Sequence, residues 1–522
     1  MSDLPGPGAW RPEQPTERPG RRPARPPRQR SARFPVVIGV AGLLVAGGIA
    51  DRAAGQPGPA PVAASQPVPV AAPAAALSSS WFCAGATGTS NGAAAGKLVI
   101  ANAGDQALRA RVRLVASRGA GRSATYTVAA HSTTNVDETL PGDPPWVGAV
   151  VDLDGGAAAV DQVVSGPLGQ AATPCATAGS QQWYFATGQT LVNATDTITL
   201  LNPYPTDAVV DMTFTTEQGV EAPGDFQGLV VPAGGLLSVD LRSHLRRRKQ
   251  IATTVHARSG RVVAWSTEVV TPPAPGEATI GAPANPANPT SADPAAPAAG
   301  VVLTLGSPSA GRRWAWPDGE AGNGLDERYV IYNPSARPAT VSLSVALDQG
   351  QAEPFRLTVG PQAVTTIVSD SEARIPPGVG HTATLVSTNG VGVVATRTVA
   401  AVAPAARRGV ASLPGARMAA AAWLVPVAAT GGSDSLALLA PGPNPLDVTL
   451  FGMAGGQEIP LPGLSGLTLP GSQRTVISLA AKAGSYRGPI VVRATGPIYV
   501  ESDLGGTGTA PGFSLSTGVP LS

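Results

Sequence analysis

The chain reads as an all-β protein made of four tandem antiparallel β-sandwich modules, and three observations predict this. First, Trp81, Trp183, Trp314 and Trp423 each open a similar run of roughly 85 residues. Second, each run holds an apolar pair eight residues apart: Val128/Val136, Val231/Val239, Val359/Ile367 and Leu469/Ile477. Third, the periodicity is two. Leu108, Ala110, Val112 and Leu114 alternate with Arg109, Arg111 and Arg113, and Val341, Leu343, Val345 and Leu347 alternate with Ser and Ala. Val210, Met212 and Phe214 follow the same spacing. One apolar and one polar face at period two marks a half-buried strand. No long stretch of period 3.6 follows residue 50, and about seven short strands per run suit a sandwich.

The elements follow in chain order. Residues 1–33 carry eight arginines among many prolines and cannot build a core, which predicts a disordered basic tail. Phe34–Ala50 has no charge and reaches the lower length limit of a membrane span. Basic residues precede it and Asp51 follows, so the tail is expected in the cytoplasm and residues 52–522 outside, on a single-pass anchor. A cleaved signal peptide, with the rest secreted, is the alternative, because Gly48-Ile49-Ala50 is a passable cleavage site. Residues 51–77 are Pro/Ala-rich and read as a stalk.

The modules are placed at 78–175, 181–270, 301–400 and 409–522, with a Pro-rich linker at 271–300 that accounts for the wider Trp183–Trp314 gap. Asn102, Asn202, Asn333 and Asn444 each end an apolar run and start a turn; an Asn side chain bonds backbone two residues on. Gly155-Gly156, Ser259-Gly260, Asn389-Gly390 and Thr495-Gly496 read as hairpin turns. The short runs at 303–306, 411–415 and 512–518 are final strands or connectors. The recurring Trp reads as core rather than as a sugar-stacking platform, since sandwiches usually bury one. Cys83 and Cys175, the only cysteines, bracket the first module and are expected to form a disulfide in an oxidising compartment.

The motif WYFATG (183–188), followed by TLLNP and LVVPAGG, resembles the Trp-initiated "WYFAEG" repeat of actinobacterial surface proteins. WAWPDG (314–319) with VIYNP is less close, and WFCAGA and WLVPVA are more degenerate. Over residues 80–520 the chain is similar to an actinobacterial family of membrane-anchored secreted proteins of unknown function. The resemblance implies immunoglobulin-like modules at the cell envelope and transfers no catalytic residues.

Chemistry is sparse. Charged residues are 13% and the net charge is +2, too little positive charge for a nucleic-acid binder. His131, His244, His256 and His381 lack metal-ligand spacing and read as surface or turn histidines. Asp152, Asp154 and Asp161 lack the spacing of a calcium loop and read as solvated turn acids. No cofactor is expected. Arg246, Arg247, Arg248 and Lys249 form the one unusual charge run, either a solvated loop or an anion-binding patch for an envelope polymer, lipid head groups or a protein. The functional expectation is a non-catalytic envelope protein for adhesion or scaffolding, with the membrane (through 34–50) and an envelope polysaccharide or protein as partners. An accessory subunit of a membrane glycosyltransferase or polymer-export system is the alternative; an enzyme with a site between modules is the weakest reading.

Overall fold

The computed structural model describes residues 69–272, 298–430, 432–506 and 512–521. The expected tail, the anchor, most of the stalk and nearly all of the 271–300 linker lie outside the described residues. Among those described, no helix is long and apolar enough to cross a membrane. Among the described residues the secondary structure is nearly all strand, with one α-helical turn, Leu479–Lys482, and three short 3-10 turns.

The first repeat holds eight strands: β1 (Ser79–Ala86), β2 (Ala95–Asn102), β3 (Leu108–Ala116), β4 (Arg122–Val128), β5 (Ser132–Asp137), β6 (Val147–Leu153), β7 (Ala158–Gly166) and β8 (Gly169–Pro174). They form two antiparallel sheets, β1-β6-β3-β4 and β5-β2-β7-β8. The alternation along β3 is realised: Leu108, Ala110, Val112 and Leu114 are buried, while Arg109 and Arg111 are exposed. Val128 ends β4 in the first sheet and Val136 lies on β5 in the second, both in the core. The eight-residue spacing is thus the crossing from one sheet to the other.

The later repeats use the same pairings. The turn dipeptides, read from sequence as hairpins, instead link strands of different sheets. β6 pairs with β1 and β3, whereas β7 pairs with β2 and β8, so Gly155-Gly156 turns the chain between sheets. In the fourth repeat this corner is drawn out into one strand, Gly488–Gly505, whose halves join different sheets.

Trp81, Trp183, Trp314 and Trp423 are all buried. The indole N–H of Trp183 donates to Val262 O, that of Trp314 to Val393 O and that of Trp423 to Ile498 O. Burial favours such an acceptor; the Nε1 of Trp81, equally buried, has no hydrogen-bond partner among the described residues. The Asn turns are equally repetitive. The Oδ1 atoms of Asn102, Asn202 and Asn333 accept from the backbone N–H two residues on, at 2.9, 3.1 and 3.0 Å. Their Nδ2 atoms donate to Val128, Val231 and Val359 carbonyls on a distant strand. Asn444 does not belong to this set. It is exposed, and the buried Ala440 takes the structural position. The NP dipeptide there mimicked the motif four residues late.

Gly300–Leu305, assigned from sequence to the third module, pairs instead with Val263–Val270 of the second. Gly409–Pro414, assigned from sequence to the fourth module, pairs with Val394–Ala401 of the third. These two strands and Phe513–Thr517 are the counterparts of β8, so the short apolar runs are final strands. Cys83 on β1 and Cys175 just after β8 form a disulfide.

The four β8-type strands line a common axis. β8 packs on Gly300–Leu305 and Phe513–Thr517, and Gly409–Pro414 packs on the same two. The repeats therefore close into a ring, with the fourth against the first. At one end of the axis stand Gly169, Gly300, Gly409 and Gly512. A Cβ on Gly409 would lie 3.0 Å from Gly512 Cα, and one on Gly512 would lie 3.0 Å from Gly169 Cα. Real side chains do not fit there. Apolar packing crosses the seams: Leu424, Met453, Val491 and Val519 of the fourth repeat join the core of the first two, and Phe513 and Leu515 join that of the third.

The end of the stretch read as a stalk is seated on the first–fourth seam. Ala71 is buried, pairs with Leu521 and donates its N–H to Pro520 O at 2.9 Å. Ala157 N–H donates to Ala72 O at 2.8 Å.

Candidate functional site

Each repeat buries one carboxyl at an equivalent point. The strand registers align Gly96, Asp196, Glu327 and Asp434. Asp196, Glu327 and Asp434 are buried. In the first repeat Gly96 leaves the space that the Glu138 carboxylate fills from another segment. The β7-type strand supplies the partner in three repeats. Gln162 Nε2 donates to both Glu138 oxygens at 3.0 and 2.8 Å, Ser266 Oγ to Asp196 at 2.8 Å, and Arg397 Nη1 stands 3.7 Å from Glu327. In the fourth repeat Asp434 accepts from the N–H groups of Thr430 and Gly505.

The glycine of the Trp-initiated motif now has a cause. A Cβ on Gly188 would strike the Asp196 carboxylate, and one on Gly319 would lie 2.9 Å from Glu327 Oε1. Motif Gly and buried acid form a unit. Its signal in sequence, an acid thirteen residues after Trp183 and Trp314, went unread because an acid in a strand looks solvated.

Burial raises two of these groups, Glu138 and Asp196. Glu138 rises to about 8 by desolvation, against the bond from Gln162. Asp196 is pushed well above the carboxylate range by desolvation and by Glu268, its cross-strand neighbour. Glu268 itself rises to about 7 through desolvation, against a bond from Gln189. Asp161, expected as a solvated turn acid, is buried on β7 and rises to about 8 by desolvation. Asp152 and Asp154 are exposed as expected.

The third–fourth seam is held by charge. Arg397 Nη2 binds Glu501, Arg407 binds Asp503, and Arg474 binds Asp318 and Asp348. Asp318 N–H also donates to Glu501 at 3.3 Å. His381, expected at the surface, is fully buried, with Nε2 2.9 Å from Glu327 and 3.0 Å from Tyr329 Oη. Burial acts upward on Glu327, but His381 and Arg397 outweigh it and hold it below the usual range. Glu501 rises to about 8 through desolvation, with Arg397 opposing. The first–second seam uses hydroxyls instead: Thr199 and Thr267 donate to the Ala84 and Gly85 carbonyls.

The basic run is split. Leu245 is a buried anchor, and Arg247 N–H donates to Thr190 O at 2.9 Å with a φ of 57°. Arg248 turns inward and binds Glu221 Oε1 through Nε and Nη2 at 3.1 and 2.9 Å. Arg246, Arg247 and Lys249 are exposed. The run therefore offers three outward cations, because the fourth is needed to pin the loop. His244 is exposed and stands 3.0 Å from Asp225; His131 is buried and 2.8 Å from Asp105. Among the described residues no three His, Cys, Asp or Glu side chains are placed to hold a metal ion.

Residues 156–367 match a family of unknown function, DUF5719. No curated protein matches the chain. Among solved structures, Thermotoga maritima 1070 is 18% identical with a TM-score of 0.19, over 21% of this chain and 95% of that one. The tetra-tandem repeat from the extending region of a large adhesion protein is 12% identical with a TM-score of 0.11, over 85% and 100%. The α-L-rhamnosidase of Streptomyces avermitilis, complexed with L-rhamnose, is 10% identical with a TM-score of 0.11, over 77% and 53%.

Proposed function

We propose that the chain is a non-catalytic scaffold of the cell envelope, presenting four immunoglobulin-like modules as one rigid body outside the membrane. The ring closure carries this reading. Buried acids and arginines are used to join sheets and seams, at Glu138–Gln162, Asp196–Ser266 and the Arg397–Glu501 cluster. Groups so enclosed serve rigidity rather than turnover. The uncharged stretch 34–50, with arginines only on its N-terminal side, supports a single-pass anchor and an exported ring. Arg246, Arg247 and Lys249 supply a cationic surface for an anionic envelope partner.

A reporter active only outside the cytoplasm, fused after Ser522, tests the topology: activity is expected, and silence alongside an active cytoplasmic reporter refutes it. Co-purification of the full chain in detergent tests the role. Retained envelope polymer supports the scaffold, whereas a stoichiometric membrane enzyme moves the assignment to an accessory subunit.

A further inference from the structure

We infer that the seam between the first and fourth repeats is a binding site for an uncharged, hydroxyl-rich ligand, namely a short stretch of a neutral glycan. The seam holds an open groove of about 690 Å³, within the usual size range of ligand sites, about 300–1,000 Å³. It exists only because the ring closes. Asp105 and His131 come from loops of the first repeat, and Gln457, Glu458 and Arg493 from strands of the fourth. Ala74 and Leu521, from the two segments that meet at Ala71–Leu521, complete the wall.

The polar groups define the ligand. His131 Nε2 is 2.8 Å from Asp105 Oδ1, and Arg493 binds both oxygens of Glu458, at 2.8 and 3.1 Å. Each acid thus has a side-chain neighbour within hydrogen-bond distance. Free bonding capacity remains. Asp105 is 91% exposed and Arg493 48%, which leaves carboxylate lone pairs and guanidinium N–H groups directed to solvent. Paired acceptors and donors of this kind match the adjacent hydroxyls of a sugar, each of which both donates and accepts. An anion would meet the carboxylates of Asp105 and Glu458, and a cation would meet the Arg493 guanidinium. The remaining lining is small: Ala103, Gly104, Ala157 and Gly456 contribute no side chain beyond Cβ. No Phe, Tyr or Trp lines the groove, so the site takes sugar edges rather than stacked faces. His131 is held in place by its fold position: it is 9% exposed and sits at a turn whose positive φ recurs at Gly234, Gln362 and Ser472 in the other repeats. The groove is separate from the cationic loop at Arg246–Lys249 and does not depend on where the chain is located.

The test uses the full chain in detergent micelles with maltotriose, cellotriose, mannotriose and galactotriose, and with trigalacturonate as the charged comparison. Saturation-transfer NMR and calorimetry read binding. At least one neutral trisaccharide is expected to bind at roughly millimolar Kd or tighter. Asp105→Asn combined with Arg493→Gln should weaken it at least tenfold, while Arg356→Ser with Arg408→Ser, two exposed arginines of the third repeat, leaves it unchanged. Bound sugar should also slow amide exchange at 103–105 and 456–458, on both sides of the seam. An unchanged near-ultraviolet dichroism spectrum establishes that the variants are folded. Binding by none of the neutral sugars, binding only of trigalacturonate, or binding indifferent to the Asp105/Arg493 pair would overturn the assignment. None of these outcomes bears on the topology reporter, so the two proposals fail separately.

Discussion

Replacing Glu138 by Gln should flatten the pH dependence of stability. The Glu138 carboxyl is buried and titrates near 8 in the folded ring, against 4.5 when unfolded. The folded state therefore holds a proton that the unfolded chain releases above pH 4.5. Stability from this group is fully present below pH 4.5 and declines as pH rises toward 8. Each such group changes stability by about 1.4 kcal/mol per pH unit inside that window. Between pH 5 and 7, Glu138 alone removes about 3 kcal/mol. Gln is isosteric and never ionises. Its cost is local: Gly85 N–H donates to Gln162 Oε1, which fixes the Gln162 amide with its NH₂ toward residue 138. A Gln there offers one acceptor where the carboxyl offered two, a loss of about 1 kcal/mol. The variant should be slightly weaker than wild type at pH 5 and stronger at pH 8. Urea unfolding of residues 66–522 from pH 5 to 8, followed by Trp fluorescence, reads the difference. Parallel wild-type and variant curves would refute the buried-proton assignment.

Other expectations are simpler. Because Asp161, Asp196 and Glu268 are raised in the same direction, the wild-type ring should be more stable at pH 5 than at pH 8; an alkaline optimum would contradict this. Cys83→Ser with Cys175→Ser opens a loop of 92 residues and should cost about 4–5 kcal/mol in the chain-entropy model, while free alkylatable thiols in the native protein would remove the bond altogether. Asn333→Ala deletes bonds to Val359, Gly360, Arg337 and Ser335 and should cost about 2–3 kcal/mol; Asn444→Ala should stay within about 0.5 kcal/mol. Equal effects on thermal midpoints would mean that the two residues are equivalent after all. Gly188→Val should destabilise the second repeat through its clash with Asp196, and an unchanged midpoint would refute that packing.

What sequence conveyed was local. Periodicity along Leu108–Leu114 revealed a strand because burial of one face is written in alternate residues. Asn102, Asn202 and Asn333 were legible because an Asn turn is completed within a few residues. Asn444 misled for the same reason: Asn-Pro looks alike whether or not a distant strand receives the side chain. The ring was not legible. Its contacts join strands such as Gly169–Pro174 and Phe513–Thr517, which lie hundreds of residues apart and carry only short apolar runs. The buried acids were hidden by their context. Asp161 sits near an exposed pair of acids in sequence, and only the second sheet shows that its side chain faces inward. Of the basic run, charge count was readable, but the diversion of Arg248 to Glu221 required the fold.

Closure around a common axis also bears on how the chain can change over generations. A linear array of repeats gains or loses a unit by duplication or deletion and keeps working, since each copy touches only its neighbours. Here the fourth copy must meet the first, and the axis leaves no room for a side chain at Gly409 or Gly512. Adding or deleting one copy would leave an unmatched seam. Copy number is thereby frozen, and variation is confined to the outward loops and to the segment between Pro272 and Ala298, an insertion inside the second repeat that can lengthen without opening the circle.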